Sequence, residues 1–189
     1  MEPAVREVFC KSALTKSEIT DYALNPYVGC AHNCVYCYAS FMARFSRHDR
    51  PWGQWVDVKV NAPQALAADL RRSSKRQQAP TRTVIDPVLE NLATDANTRR
   101  RARRKAQLER SSTSFEIIMS SVTDPYQPLE RTYRITRACL EILAGGSSET
   151  HAGLFPAPAL DDSIEAHPSL TIRTKSDLVL RDIDVLQDL

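Results

Sequence analysis

Apolar positions in the second half of the chain repeat with two distinct periods. Residues 115–122 (FEIIMSSV) open on a near-continuous apolar run, the pattern of a strand buried on both faces of a parallel sheet. The run stops at Thr123-Asp124-Pro125. Residues 129–143 then place Ile135, Ala138, Cys139, Ile142 and Leu143 at helical spacing, ended by Gly145-Gly146. Residues 170–174 alternate as a further strand, and Asp182 opens a helix with Ile183 and Leu186 inward. Upstream, 22–25 reads as a short first strand, 38–45 as the helix after it and 56–60 as a strand. Asn61 is placed to cap a helix through Leu70, with Pro63 tolerated in its first turn. Trp52 and Trp55 flank Gly53 in a loop, where packing on the core is expected. Strand, helix, strand, helix predicts a parallel α/β architecture with right-handed crossovers, and in a barrel of that kind chemistry sits in the loops after the strands.

The chain has 189 residues, 42% hydrophobic and 25% charged, and a net charge of +2. That is enough for one soluble domain with a real core. No run approaches the roughly 18 apolar residues of a membrane span, so no membrane partner is expected. Two stretches interrupt the pattern, at about 71–112 and 145–169. Within 71–110 stand 12 basic and 4 acidic residues, a net of +8, leaving −6 for the rest. Such a patch can hold phosphate backbones non-specifically, although solvated insertions often carry like charge and no aromatics are interleaved to stack bases. The second stretch, rich in Gly, Ser, Pro and acidic residues, reads as a surface loop.

Cysteine usage adds the chemistry. Cys30, Cys34 and Cys37 form a C-x3-C-x2-C loop in Asn25-Pro-Tyr-Val-Gly-Cys-Ala-His-Asn-Cys-Val-Tyr-Cys-Tyr38. Three thiolates suit a soft metal centre but cannot fill a tetrahedral structural zinc site or an ordinary four-cysteine [4Fe-4S] cluster. Zinc would need Cys10 or His32 as a fourth ligand. Five cysteines, an odd number, with no N-terminal secretory segment, argue for a reducing compartment, hence a cytoplasmic location. Cys139 belongs to the buried helical stripe and is expected to pack in the core.

The loop resembles the signature of the radical S-adenosylmethionine (SAM) enzymes. With Asn25–Cys30, Thr123-Asp124-Pro125-Tyr126-Gln127-Pro128, Thr174-Lys175-Ser176 and Arg181-Asp182-Ile183-Asp184, it resembles the DNA repair photolyase-like branch, related to spore photoproduct lyase. The resemblance implies one radical SAM core over 1–189, the N-terminal portion of a partial (β/α) TIM-like barrel. About three βα units are counted against six in such barrels, so truncation at the C-terminus, an open parallel edge and poor behaviour in isolation are expected.

It further implies that Cys30, Cys34 and Cys37 hold a [4Fe-4S] cluster whose fourth iron binds SAM. Reductive cleavage of SAM then gives a 5′-deoxyadenosyl radical that acts on an unidentified substrate. By the same resemblance Tyr36 and Tyr38 wall the SAM pocket, Thr123 and Asp124 hold its amino group, and Lys175 pairs with its carboxylate. The plainer readings are core aromatics for Tyr36 and Tyr38, a turn for Asp124 and a surface lysine for Lys175. A ferredoxin or flavodoxin is the expected electron donor, and nucleic acid is a candidate partner through 71–110. The alternative is a truncated, non-catalytic metal- or cluster-binding module.

Overall fold

The computed structural model describes residues 2–78, 115–146 and 168–189, with side chains through residue 73 in the first stretch. Most of both interrupting stretches, and with them the basic segment from residue 74 onward, lie outside the described side chains. The strands are β1 (Ala4–Val8), β2 (Leu14–Lys16), β3 (Tyr22–Leu24), β4 (Tyr27–Gly29), β5 (Trp55–Lys59), β6 (Glu116–Met119) and β7 (Ser169–Ile172). The α-helices are α1 (Ala62–Gln78), α2 (Glu130–Tyr133), α3 (Ile135–Leu143) and α4 (Ile183–Gln187), and Tyr38–Phe45 and Asp177–Asp182 are 3-10 helices.

These strands form two mixed sheets, ordered β1-β5-β4 and β2-β3-β6-β7. Parallel pairing holds for β1 with β5, β3 with β6 and β6 with β7, whereas β2–β3 and β4–β5 are antiparallel. In place of the entirely parallel sheet expected from the alternating elements, parallel pairing is confined to the run β3-β6-β7 in one sheet and the pair β1-β5 in the other. Two short strands that lack any apolar period, β1 and β2, precede the strand read as the first. β1 is anchored by Arg6, which donates to both Asp57 oxygens at 2.9 and 2.7 Å, and His48 Nε2 lies 2.8 Å from Asp57 Oδ1.

Several elements depart from the periodicity for identifiable reasons. Trp55, read as a loop residue, is fully buried and opens β5. The Asn61 side chain, just before α1, binds the segment after β1. Its Oδ1 accepts from Cys10 N and its Nδ2 donates to Cys10 O, both at 2.8 Å, fastening the end of β1. Asp69 fastens the next linker, accepting from Ser12 Oγ, Ala13 N and Leu14 N at 2.8–2.9 Å. The helix expected over 129–143 breaks at Arg134, which is left-handed at φ 53°. The break lets the buried Glu130 carboxylate accept from Thr136 N and Arg137 N, at 3.0 and 3.2 Å, satisfying donors at the start of α3. Near the C-terminus, Val185 is buried and Leu186 is half-buried against the core, but Ile183 is exposed. The preceding 3-10 turn, ending at the fully buried Asp182, resets the helical phase.

One core joins the two sheets to α1 and α3, through Leu24, Tyr27, Val56, Val58, Leu66, Leu70, Ile117 and Met119 with Ile135, Cys139, Leu140 and Ile142. Cys139 packs there without exposure. Among the described residues no helix is long and apolar enough to cross a membrane.

Candidate functional site

The cysteine loop hangs from β4 and not directly from β3. After β3 the chain bends at Asn25-Pro26, with Asn25 Oδ1 accepting from Ser121 N at 3.1 Å, and crosses to the other sheet for β4. It leaves β4 through Gly29 at φ +83°, where an added Cβ would stand 2.5 Å from Trp55 O and 2.8 Å from the Trp55 ring. Gly29→Ala is therefore expected to lose about 1–2 kcal/mol for the left-handed conformation and about 1–3 kcal/mol more for overpacking, read as a lowered thermal midpoint. Further along, Asn33 is also left-handed at φ 48°, and its carboxamide packs where a Cβ on Gly53 would fall. The loop is thus clamped between two glycine contacts. Cys37 N donates to Cys34 O at 3.1 Å, closing a turn between the second and third cysteines.

Three loops meet here. Thr123, after β6, donates through Oγ1 to Gly29 O at 2.5 Å, immediately before Cys30. Gln127, fully buried, accepts from Ala31 N at 2.9 Å, immediately after it. Asp124 links all three loops. Its Oδ1 accepts from Tyr126 N (2.8 Å) and Thr174 Oγ1 (2.7 Å), its Oδ2 accepts from Lys175 N (3.0 Å), and His32 Nε2 stands 3.4 Å from Oδ2. Burial alone would raise the Asp124 carboxyl, but His32 and the Lys175, Thr174 and Tyr126 donors outweigh it and hold the group below its ordinary value.

The Lys175 ammonium reaches back to the cysteine loop, donating to Cys34 Sγ at 3.1 Å and to Tyr36 Oη at 3.0 Å. Those bonds, to Tyr36 first and Cys34 second, raise the lysine above its ordinary value. Cys30 is buried while Cys34 and Cys37 are half-buried, and burial, aided by Asp124 and Cys34, pushes the Cys30 thiol up to about 11.

The sequence-predicted residues therefore gather in one place, with two refinements. Tyr36 and Tyr38 are 79% and 68% exposed, so neither is a core aromatic; Tyr38 is tethered by its hydroxyl to Ser121 O. Asp124 shapes its turn and also holds the Lys175 backbone. The two candidates for a fourth zinc ligand have other neighbours. His32 turns to Asp124, and Cys10 lies beside Lys59 and Asp69. Among the described residues no three Cys, His, Asp or Glu side chains converge on a single metal ion.

Behind the site lies an ion network that periodicity does not reveal. Arg181 donates to both oxygens of Asp182 at 2.7 and 2.8 Å and to Glu130 Oε1 at 3.0 Å. Arg137 donates to Asp182 Oδ1 at 3.1 Å and to both Asp184 oxygens at 3.0 and 2.7 Å. Glu130 also accepts from the Tyr27 hydroxyl, and burial raises its carboxyl in spite of these donors. The available signal covered only part of it, the motif Arg181 through Asp184, with Glu130 two residues past the motif Thr123 through Pro128.

An uncharacterized protein of Methanocaldococcus jannaschii, MJ0683, is 27% identical over 173 residues, covering 92% of this chain and 42% of that protein. Uncharacterized proteins of Mycobacterium bovis, Mb2609c, and Mycobacterium tuberculosis, Rv2578c, are each 33% identical over 99 residues, covering 43% of this chain and 26% of theirs. The chain spans less than half the length of these relatives. No family model and no solved structure matches it.

Proposed function

We propose that the chain is a radical SAM enzyme, or the core of one, whose Cys30, Cys34 and Cys37 hold three irons of a [4Fe-4S] cluster. The observation that carries this reading is the meeting of the cysteine loop with the loops after β6 and β7, through Thr123–Gly29, Asp124–Lys175 and Lys175–Cys34. The donor set fits. Three thiols stand on one clamped loop, and among the described residues no fourth protein ligand joins them, as a cluster with one iron open to a small molecule requires. When bound, the cluster supplies the one-electron cleavage of SAM that yields the 5′-deoxyadenosyl radical. The parallel run β3-β6-β7, with site loops following β6 and β7, supports the partial-barrel reading.

The residues divide the work by chemistry. The cysteine thiolates bind iron. Lys175 offers an exposed ammonium at the mouth of the loop, suited to a carboxylate such as that of SAM. The exposed ring of Tyr38 offers a face for a purine, and Tyr36, with the Lys175 ammonium 5.1 Å from its ring centroid, lines the same pocket. Thr123 and Asp124 act chiefly by fixing the loops, since their side-chain oxygens are bonded to protein groups. Ferredoxin or flavodoxin is the proposed electron source, and nucleic acid is the proposed substrate class, approached through 71–110. The cofactor carries the hard step while the protein positions and shields it.

The test is anaerobic reconstitution with iron and sulfide, followed by SAM and dithionite, with 5′-deoxyadenosine as the readout. Production is expected from the wild-type chain and none from Cys34→Ala, whose iron content should also fall. A cluster that forms but never cleaves SAM would make the protein a non-catalytic cluster-binding module. Stoichiometric zinc without sulfide would overturn the reading altogether.

A further inference from the structure

The residues just past the cysteines form a face that the chemistry above leaves unused. Within the eleven residues 35–45, Val35 is completely exposed, and Phe41 and Phe45 are exposed on the 3-10 helix Tyr38–Phe45. Side chains of this kind seldom stand together in water without a partner. Arg44 lies against both Phe rings, and Arg47 and Arg50 follow it closely in the chain, all three exposed. From Cys30 to Arg50 the cationic residues are Arg44, Arg47 and Arg50, against the lone acid Asp49, in a chain whose net charge is only +2. Cys34 and Cys37 bracket Val35 and are half-buried, so this face is where the cysteine loop comes to the surface.

We propose that Val35, Phe41 and Phe45, together with Arg44, Arg47 and Arg50, form the docking surface for an acidic one-electron carrier protein that reduces the centre held by Cys30, Cys34 and Cys37. The proposal rests on the cluster reading above and names the partner of that same site. Charge complementarity selects the partner, because arginines beside apolar side chains steer an acidic protein into a small, short-lived complex. Aromatic and arginine side chains are the residue types that dominate protein docking energies.

A single-stranded nucleic acid is the competing occupant, since it too favours arginines and aromatics. It is disfavoured by the placement of Arg44, whose guanidinium lies 5.6 Å from the Phe41 centroid and 5.2 Å from that of Phe45. Those ring faces already carry a cation and are less open to stacked bases. In the docking step one electron leaves the carrier and one enters the metal centre, and no bond is made or broken at the surface.

The experiment uses the cluster-reconstituted 189-residue chain with photoreduced flavodoxin as the probe, following bleaching of the cluster absorbance by stopped flow. Dithionite serves as the small reductant in a parallel arm. Wild-type reduction by flavodoxin should slow as salt rises, and the double variant Arg44→Glu/Arg47→Glu should be reduced at least about tenfold more slowly at low salt. Its iron content and its rate with dithionite should match wild type, which shows that the fold and the cluster are intact. Equal flavodoxin rates in both proteins, or a wild-type rate indifferent to salt, would overturn the docking surface and leave the cluster reading standing. Loss of oligonucleotide binding in the double variant with an unchanged flavodoxin rate would overturn it in favour of nucleic acid. Failure of any cluster to assemble in wild type would overturn both readings.

Discussion

Arg181→Ala is expected to be strongly destabilising, lowering unfolding free energy by about 3–5 kcal/mol, as when one partner of a buried ion pair is removed. Glu130 and Asp182 are fully buried, and the Arg181 guanidinium serves both, while also donating to Glu130 O at 3.2 Å. Without it two carboxylates remain in a desolvated pocket. Asp182 keeps Arg137, and Glu130 keeps Tyr27 and the Thr136 and Arg137 amides, which points to the lower end of that range. Even so, the loss is a large share of a typical total of roughly 5–15 kcal/mol. Arg181→Lys should recover only part of it, because one ammonium cannot reproduce the planar fork that spans Asp182 and Glu130. Urea titrations of the three proteins decide the matter. A change below about 1 kcal/mol for Arg181→Ala would mean that the network carries little of the stability.

What periodicity revealed and what it missed separate along one line, the sequence distance between partners. β5, β6, β7 and α3 have apolar runs or stripes of their own, so they are legible within a few residues of their observed ends. β1 carries three exposed residues in a row, Val5, Arg6 and Glu7, with no apolar alternation, and its place in the sheet depends on Trp55–Lys59 some fifty residues away. No local pattern encodes that pairing. The break at Arg134 is equally opaque, since it is set by Glu130 reaching Tyr27, 103 residues back, and Arg181, 51 residues ahead.

The site was legible for a different reason. Cys34 and Lys175 are 141 residues apart, and no periodicity joins them. Only the order of the short motifs did so, together with the rule that site loops follow parallel strands. That rule holds after β6 and β7 but not for the cysteine loop, since that loop leaves the antiparallel β4. The supporting cast escaped that reasoning. Gln127 stood inside a recognised motif without a role, Glu130 lay two residues beyond it, and Gly29 and Gly53 acquired theirs only from contacts with Trp55 and Asn33.

Asp124→Asn separates the two roles that remain entangled at the centre of the site, fold support and the proposed metal loading. An amide in this position can keep its oxygen on Tyr126 N and Thr174 Oγ1, but its NH2 then faces the Lys175 N–H, which loses its acceptor. A half-satisfied arrangement of this kind is expected to cost about 1–3 kcal/mol. The pH dependence supplies the sign. The folded Asp124 carboxyl lies below its ordinary 3.8, so its contribution is present above that value and disappears as pH falls through the lower, folded one. The gap between wild type and Asp124→Asn should therefore stay constant from neutral pH to about 5 and narrow only in acid below the ordinary carboxylate value. A gap that closed already near pH 6 would show that another group governs it. The same variant loosens the backbone carrying Lys175 and the contact with His32 while leaving all three thiols in place. If the clamped loops are what bring those thiols to a cluster, Asp124→Asn should take up less iron and sulfide at 25 °C, where it is still folded. Undiminished loading with lowered stability would confine Asp124 to the fold and leave the cysteine loop competent by itself.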